Sequence, residues 1–332
     1  MFLSIIIPHY NLPRELLTRC IDSILALQLP TDEYEAIIID DGSLEPPMWI
    51  EEQYPSNIRF IAATHQGPGG ARNKGIKEAQ GRYIQFLDAD DYLLPNNHIT
   101  QCLVKLREEK PQILRFNYHV QHTPASKVPN HKESIKFGNT ISGAEFMRHN
   151  NLSGSPCSYF FLRDLAIRKN IEFPTGTFHE DEEFNTILHY HAQSLVVSNA
   201  TPYCYCIREG STTANKSIEF EKERIKDLFD VIKHICEFRN SHTSLSNTIQ
   251  KEALGRKLSM LTVDAILNML YAGMSAKDIE EECHTTLSPL TLYPLPQAGY
   301  SAKYRIFRTL ANSSKGLSLL RMITPKKKPL KR

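Results

Sequence analysis

The stretch GRYIQFLDADDYL, Gly81 to Leu93, contains an apolar run from Tyr83 to Leu87 that passes directly into Asp88, Ala89, Asp90 and Asp91. A short apolar run of this kind, opened by Gly81 and closed by acids, reads as a buried strand. Three carboxylates within four residues repel one another when unpaired, and clustered oxygens raise the affinity for protons or for a hard divalent cation. A metal held there would neutralise a nucleotide diphosphate as it leaves. The plainer reading of the same residues is an acidic turn capping the next helix, with Pro95 close behind.

Three similar runs precede this one: Leu3 to Ile7, closed by Pro8; Ala36 to Ile39, ending in Asp40, Asp41, Gly42 and Ser43; and Ile58 to Ala62. Between the first two, Leu16, Leu17, Cys20, Ile21, Ile24 and Leu25 recur at helical spacing behind Pro13, with Asn11 as the expected cap. A further helix is expected to end at Gly81. Alternating strand and helix predicts parallel strands with right-handed crossovers, hence an α/β, doubly wound sheet that binds ligands at the carboxyl ends of its strands. Three polar clusters fall at those ends: Pro8 to Asn11, Asp40 to Ser43 and Asp88 to Asp91.

Later segments are less regular. Asn117 to Phe137 reads as loop or edge hairpin. Ser158 to Leu162 (strand), Glu182 to Ala192 (helix) and Tyr203 to Ile207 (strand) read together as a second lobe. From Glu219 to about Cys283 the pattern is helical, with Leu228, Ile232 and Ile235 at helical spacing.

Two more constellations bear on chemistry. Gln66 to Gly75 (QGPGGARNKG) combines flexible backbone with Arg72 and Lys74 at a helix start, a setting that favours phosphate. It matches neither GxGxxG nor a P-loop, which disfavours a nucleoside triphosphatase. His179 to Glu183 (HEDEE) opens a helix. Capping by the helix dipole explains acids there, but four of them with a histidine exceed what capping needs, and one could deprotonate an acceptor hydroxyl.

A chain of 332 residues, 41% hydrophobic, can bury a large core,. No apolar run reaches the roughly 18 residues of a membrane span, and Leu3 to Ile7 lacks signal-peptide surroundings, so the expected location is the cytoplasm. The seven cysteines are scattered without metal-ligand spacing and read as reduced, mostly buried thiols,. The net charge of +2 conceals an asymmetry: Ser301 to Arg332 holds ten Lys or Arg and no acid, leaving about −8 on the rest. An acidic body argues against a nucleic-acid footprint. The basic tail, with Tyr304, Phe307, Leu310, Leu317, Leu320 and Ile323 interspersed, suits an amphipathic helix at an anionic membrane surface, or a helix docked on the body.

Taken jointly, SIIIPHYN (Ser4 to Asn11), IDDGS (Ile39 to Ser43), GPGGARNKG (Gly67 to Gly75), GRYIQFLDADDYL, EDEEF (Glu180 to Phe184) and REGST (Arg208 to Thr212) resemble family-two inverting glycosyltransferases of the GT-A fold, in order and in spacing. The resemblance covers about residues 1 to 215. It implies a nucleotide-sugar-binding half over 1–100 and an acceptor-binding half over 101–215; the helical C-terminal region with its basic tail, read over 216–332 from the residue pattern, has no comparable signature. It implies that Pro8, Tyr10, Asp40 and Asp41 lie around the base and ribose, that Arg72, Asp88 and Asp90 contact the donor nucleotide, and that Asp91, then Asp90, bind Mn2+ or Mg2+. Asp181 would be the general base, with Glu180 its neighbour; His9 receives no role. The implied reaction is one inverting displacement, without a glycosyl-enzyme intermediate, from a nucleotide diphosphate sugar, expected to be a UDP-sugar, to a polysaccharide or lipid-linked saccharide. Two other classes compete. A sugar nucleotidyltransferase needs a triphosphate-binding loop near the N-terminus, yet Pro8 to Pro13 lacks glycine; a sugar-nucleotide-binding scaffold would bind without turnover.

Overall fold

The structure, a computed structural model, describes residues 1–122, 134–152, 154–208, 218–242 and 244–324. The elements in order begin β1 (Leu3–His9), α1 (Arg14–Leu25), β2 (Tyr34–Asp40), α2 (Ile50–Gln53), β3 (Ile58–Ala62), α3 (Gly67–Glu78) and β4 (Tyr83–Phe86). Then come β5 (Tyr92–Leu93), α4 (His98–Glu109), β6 (Ile113–Arg115), β7 (Tyr118–Gln121), α5 (Gly143–His149), β8 (Tyr159–Leu162), α6 (Arg163–Arg168), α7 (Glu180–His191), β9 (Leu195–Val197) and β10 (Tyr203–Cys206). Five helices follow: α8 (Ile218–Ser241), α9 (Thr248–Ala272), α10 (Ala276–Glu282), α11 (Ala302–Ala311) and α12 (Ser314–Ile323). The chain divides into two compact units, Met1–Gly143 with Gly154–Arg208, and Ala144–Ser153 with Glu209–Arg332.

The first unit is built on a seven-stranded sheet of order β3-β2-β1-β4-β8-β6-β9. Its first four strands are mutually parallel, and β1 and β2, with α3 packed on both, are almost wholly buried, which is why their sequences run apolar without alternation,. The register pairs His9 with Asp40 and Ile6 with Phe86, so β1, β2 and β4 deliver their polar ends side by side. The expected α/β sheet is thus present, with polar residues at the carboxyl ends of these strands.

Two expectations need correction and two are refined. Asn11 does not cap α1: Pro13 occupies the cap position, while Asn11, at φ 46°, bridges two strand-end loops by accepting from Leu44 N and donating its own N–H to Ser43 Oγ. Of Asn117 to Phe137, expected as loop or edge hairpin, residues 123–133 lie outside the described residues, and Tyr118–Gln121 form the edge strand β7, parallel to β10 in a second sheet, β5-β10-β7. The second lobe is not separate either: β8 inserts antiparallel between β4 and β6, and Phe184 of α7 stacks on Phe173 at 3.8 Å within the aromatic core that holds Phe86. Finally, the helical stretch expected from Glu219 to about Cys283 is present and consists of α8, α9 and α10. Capping boxes at Asn247/Gln250 and Ser275/Asp278 start the latter two, and Gly273, at φ 86°, stops α9,.

The glycine-rich stretch is helix rather than loop, and its glycines serve packing. A Cβ on Gly75 would stand 2.3 Å from Ile6 Cγ2 of β1, and one on Gly69 2.5 Å from the Pro174 carbonyl oxygen. Overpacking costs about 1–3 kcal/mol, against a gain of about 1 kcal/mol in helix propensity from Gly to Ala. Gly75→Ala is therefore expected to destabilise the fold by up to about 2 kcal/mol, read from urea unfolding.

In the second unit α8 packs on α9, and α12 packs on α10 and α11. Among the described residues no helix is long and apolar enough to cross a membrane.

Candidate active site

At the carboxyl end of β2 the two carboxylates expected at the nucleotide, Asp40 and Asp41, also brace the neighbouring loops. Asp40, 1% exposed, lies with Oδ1 2.8 Å from His9 Nδ1 and accepts the Ser43 N–H on Oδ2. Asp41 accepts from the Gln66 and Gly67 backbone N–H groups at 2.8 Å each, and its Oδ2 lies 2.9 Å from His65 Nδ1. A helix start leaves four N–H groups unpartnered. Gln66, the residue at the cap of α3, makes no side-chain cap bond, so a carboxylate from the neighbouring strand end takes that role. The phosphate-binding helix start expected at Gly67 is accordingly occupied by an anion of the protein itself. Tyr10 remains 46% exposed, its ring stacked on His65 at 4.4 Å, and presents a flat aromatic surface beside Pro8.

The three carboxylates after β4 have three different surroundings. Asp91, 1% exposed, accepts from Tyr203 Oη at 2.5 Å and from the Cys206 N–H at 2.7 Å. Burial, then the charge of Asp88, pushes its carboxyl up to about 8,. It ties this loop to β10, and Tyr203 Oη in turn accepts the Asp88 N–H. Both oxygens of Asp91, the first-choice metal ligand of the sequence reading, thus accept from internal donors. Asp90 holds Arg208 Nε on Oδ2 at 2.6 Å, while its carbonyl accepts from Arg19. Asp88 holds Arg72 Nη2 on Oδ1 at 3.0 Å.

A carboxyl whose folded pKa is raised favours the protonated state, so its contribution to stability is full at acid pH and is lost as pH rises towards about 8,. An Asn at position 91 does not ionise. The stability of Asp91→Asn relative to the unmodified chain is therefore expected to rise between pH 5 and pH 8, measured by urea unfolding at both.

Arg72 joins the acidic cluster to the start of α7. It is 6% exposed, and its Nη1 donates to Glu180 Oε1 at 3.0 Å while Nη2 donates to Asp88. Burial opposes the charge, but Asp88 first, then Glu180 and Asp181 among others, overcome it and hold the guanidinium protonated. The next residue fixes the geometry: Asn73 Nδ2 donates to the Phe173 carbonyl and Asn73 Oδ1 accepts the Phe173 N–H, both at 2.8 Å, clamping α3 to the loop before α7. Asp181, half-buried in the first turn of α7, lies where a Cβ on residue 154 would stand 2.9 Å from its Oδ2, so Gly154 leaves it room. His179 precedes α7 at φ 63°.

The structure therefore brings Arg72, Asp88, Glu180 and Asp181 together, and gathers Pro8, Tyr10, Asp40 and Asp41 at the neighbouring strand ends. Sequence reading missed His9, His65, Tyr203 and Arg19, whose partners lie 24 to 115 residues away and leave no local signal. Of the REGST motif, Arg208 meets Asp90, and Glu209 to Thr212 lie outside the described residues. Six of the seven free cysteines are buried, as expected. Among the described residues no three His, Cys, Asp or Glu side chains form a ready metal cage.

Among known proteins, the E. coli K12 uncharacterized glycosyltransferase YibD is 26% identical over 239 residues, 68% of each chain. The uncharacterized glycosyltransferase EpsJ of Bacillus subtilis is 30% identical across 63% of this chain and 62% of its own. Poly(ribitol-phosphate) beta-glucosyltransferase of Bacillus spizizenii is 38% identical over 98 residues, 28% of this chain, but only 15% of that protein is spanned. In fold, the chain matches S. aureus TarS 1–349 in complex with UDP-GlcNAc at a TM-score of 0.58, with 20% identity over 93% of this chain and 91% of that one. It also matches the mannosyltransferase PcManGT of Pyrobaculum calidifontis, in complex with GDP-Man and Mn2+, at 0.53, with 14% identity over 97% and 87%. The pattern of glycosyl transferase family 2 covers residues 4–170, half of the sequence and the whole span from β1 to the end of α6. The chain is a glycosyltransferase and belongs to family 2.

Proposed function

We propose that the protein transfers one sugar from a UDP-sugar, with inversion, to a hydroxyl of a cell-surface polysaccharide or a lipid-linked precursor of one. The observation that carries this reading is Arg72, whose single guanidinium sets the carboxylates after β4 against those at the start of α7. Donor diphosphate and acceptor hydroxyl must meet at one place, and that ion-pair bridge joins the two motifs that serve them.

Tyr10 and Pro8 offer the base a flat face, and Asp41 retains lone pairs beyond its two backbone bonds for a base or ribose donor,. Asp40 acts as a brace for that loop through His9. Asp181 accepts the proton of the acceptor hydroxyl, whose oxygen attacks the anomeric carbon opposite the diphosphate. Glu180 and Asp88 hold Arg72 in place and keep its positive charge beside the donor end of the site.

The side chains fit a divalent cation, Mn2+ or Mg2+. Asp88 Oδ2 and Asp90 Oδ1 are hard oxygens beyond those that pair with Arg72 and Arg208, on side chains 33% and 22% exposed. Such ions use one or two carboxylates and take their remaining ligands from substrate phosphates, so a third protein ligand is not required. Bound there, the cation would supply charge neutralisation at the diphosphate. Asp90, with Asp88, replaces Asp91 as the first choice.

Relatives named for poly(ribitol-phosphate) glucosylation and N-acetylglucosaminylation support a polysaccharide acceptor, and the fold match to a UDP-GlcNAc complex supports a UDP-sugar. Seven free thiols suit the reducing cytoplasm,. Calorimetric UDP titrations with and without Mn2+ test the donor end. Tightening by Mn2+ is expected in the unmodified chain and in Asp91→Asn, and its loss in Asp90→Asn. Unchanged Mn2+ dependence in Asp90→Asn would refute the assignment, as would UDP binding without turnover of any nucleotide sugar, the behaviour of a scaffold.

A further inference from the structure

The last two helices are ordered by one face and leave another outward. Tyr304 and Ala311 of α11 and Gly316, Leu317 and Leu320 of α12 are buried. Tyr304 Oη donates to the Pro296 carbonyl, Arg308 Nε to the Leu295 carbonyl, and Ser314 Oγ to Glu280. Three of the apolar residues that the sequence suggests for a membrane, Tyr304, Leu317 and Leu320, are thus packing residues, because the inward face of each helix needs them. A different set faces out: Leu319 at 46%, Met322 at 82% and Ile323 at 65% exposure on α12, with Ile306 at 65% on α11. Leu319, Met322 and Ile323 stand at i, i+3 and i+4, on one side of the helix. Among the described residues, four of the fourteen exposed large hydrophobic side chains fall between Ile306 and Ile323. Lys303, Arg305 and Lys315 are exposed in the same segment, and no acid occurs from Ser301 onward.

We infer that the outward side of α11 and α12 is a docking surface for an anionic lipid bilayer. Exposed aliphatic side chains on a segment whose own charges are all cationic, with Glu280 of the adjoining α10 taken up by Ser314, match an interface that is apolar within and anionic at its headgroups,. A symmetric contact with a second copy would set this cationic segment against itself, and an anionic macromolecule without an apolar phase would leave the four side chains in water. The surface is independent of the chemistry proposed at the sugar-nucleotide site.

Sedimentation of the full chain with vesicles tests it. Binding is expected to vesicles of phosphatidylcholine with phosphatidylglycerol, weakening as salt rises, and to be far weaker with phosphatidylcholine alone. L319S/M322S/I323S should lower the partition coefficient on the order of a hundredfold, with an unchanged thermal unfolding curve because the replaced side chains are exposed. K303E/R305E/K315E should lower it as well, selectively for the anionic vesicles. The inference is overturned if the unmodified chain stays in the supernatant with anionic vesicles at low salt, or if the triple serine variant partitions as the unmodified chain does. It is equally overturned if that variant instead dissociates a dimer, seen by light scattering, while no form binds vesicles.

Discussion

Asp181→Asn is expected to lower turnover by between about a hundredfold and about ten-thousandfold, the range for loss of a positioned general base, while UDP affinity stays near its original value. The substitution is nearly isosteric, so the space that Gly154 leaves beside the carboxylate remains filled as before. Asn keeps a hydrogen-bonding carbonyl but cannot accept a proton at neutral pH. Arg72 donates to Glu180 and to Asp88, two carboxylates this substitution leaves in place, so the bridge should survive and hold the donor end intact. Steady-state kinetics with calorimetry separates the two effects. Turnover close to that of the unmodified enzyme would move the base elsewhere, and Glu182, whose Oε1 would lie 2.8 Å from a Cβ on residue 154, is the nearest alternative.

Arg72→Met should be the most damaging single change to the site as a structure. It leaves Asp88 and Glu180 without their shared counter-charge, and breaking a buried ion pair in this way costs about 3–5 kcal/mol. Asp88 has a side chain 33% exposed and can recover some hydration, whereas Glu180, at 12%, cannot recover much; the lower end of that range is expected. Arg72→Lys should rescue little, since one ammonium cannot reproduce two guanidinium bonds made in different directions. Urea unfolding measures the loss, and a UDP titration of the folded fraction reports whether the donor end has opened. A variant as stable as the unmodified chain would mean that solvent already screens the bridge.

The sheet was legible because buried parallel strands need continuous apolar sequence, and β1, β2, β3 and β4 supply it at regular intervals with helix between them. Strand direction was not. The YFFL sequence of β8 would look alike in either orientation, and its place between β4 and β6 depends on pairings with residues near Ile84 and Leu114. The acidic motifs were legible as motifs, but their internal roles were not. Which carboxylate of Asp88, Asp90 and Asp91 turns inward is decided by Tyr203 and Cys206, more than a hundred residues downstream. The glycine-rich segment misleads for a related reason. Read locally, the glycines of Gly67 to Gly75 suggest flexible backbone at a helix start, whereas they mark where α3 lies against Ile6 and the Pro174 carbonyl.

A single inverting displacement through Asp181 is the central claim, and the anomeric configuration of the released sugar tests it without knowledge of the acceptor. Water can replace the acceptor hydroxyl, so the enzyme with Mn2+ and an α-linked UDP-glucose or UDP-N-acetylglucosamine should release free sugar slowly, followed by proton NMR before mutarotation scrambles it. The account predicts that the first sugar to appear is the β anomer and that Asp181→Asn suppresses its release. First appearance of the α anomer would demand two displacements or a front-side attack, and would contradict the mechanism.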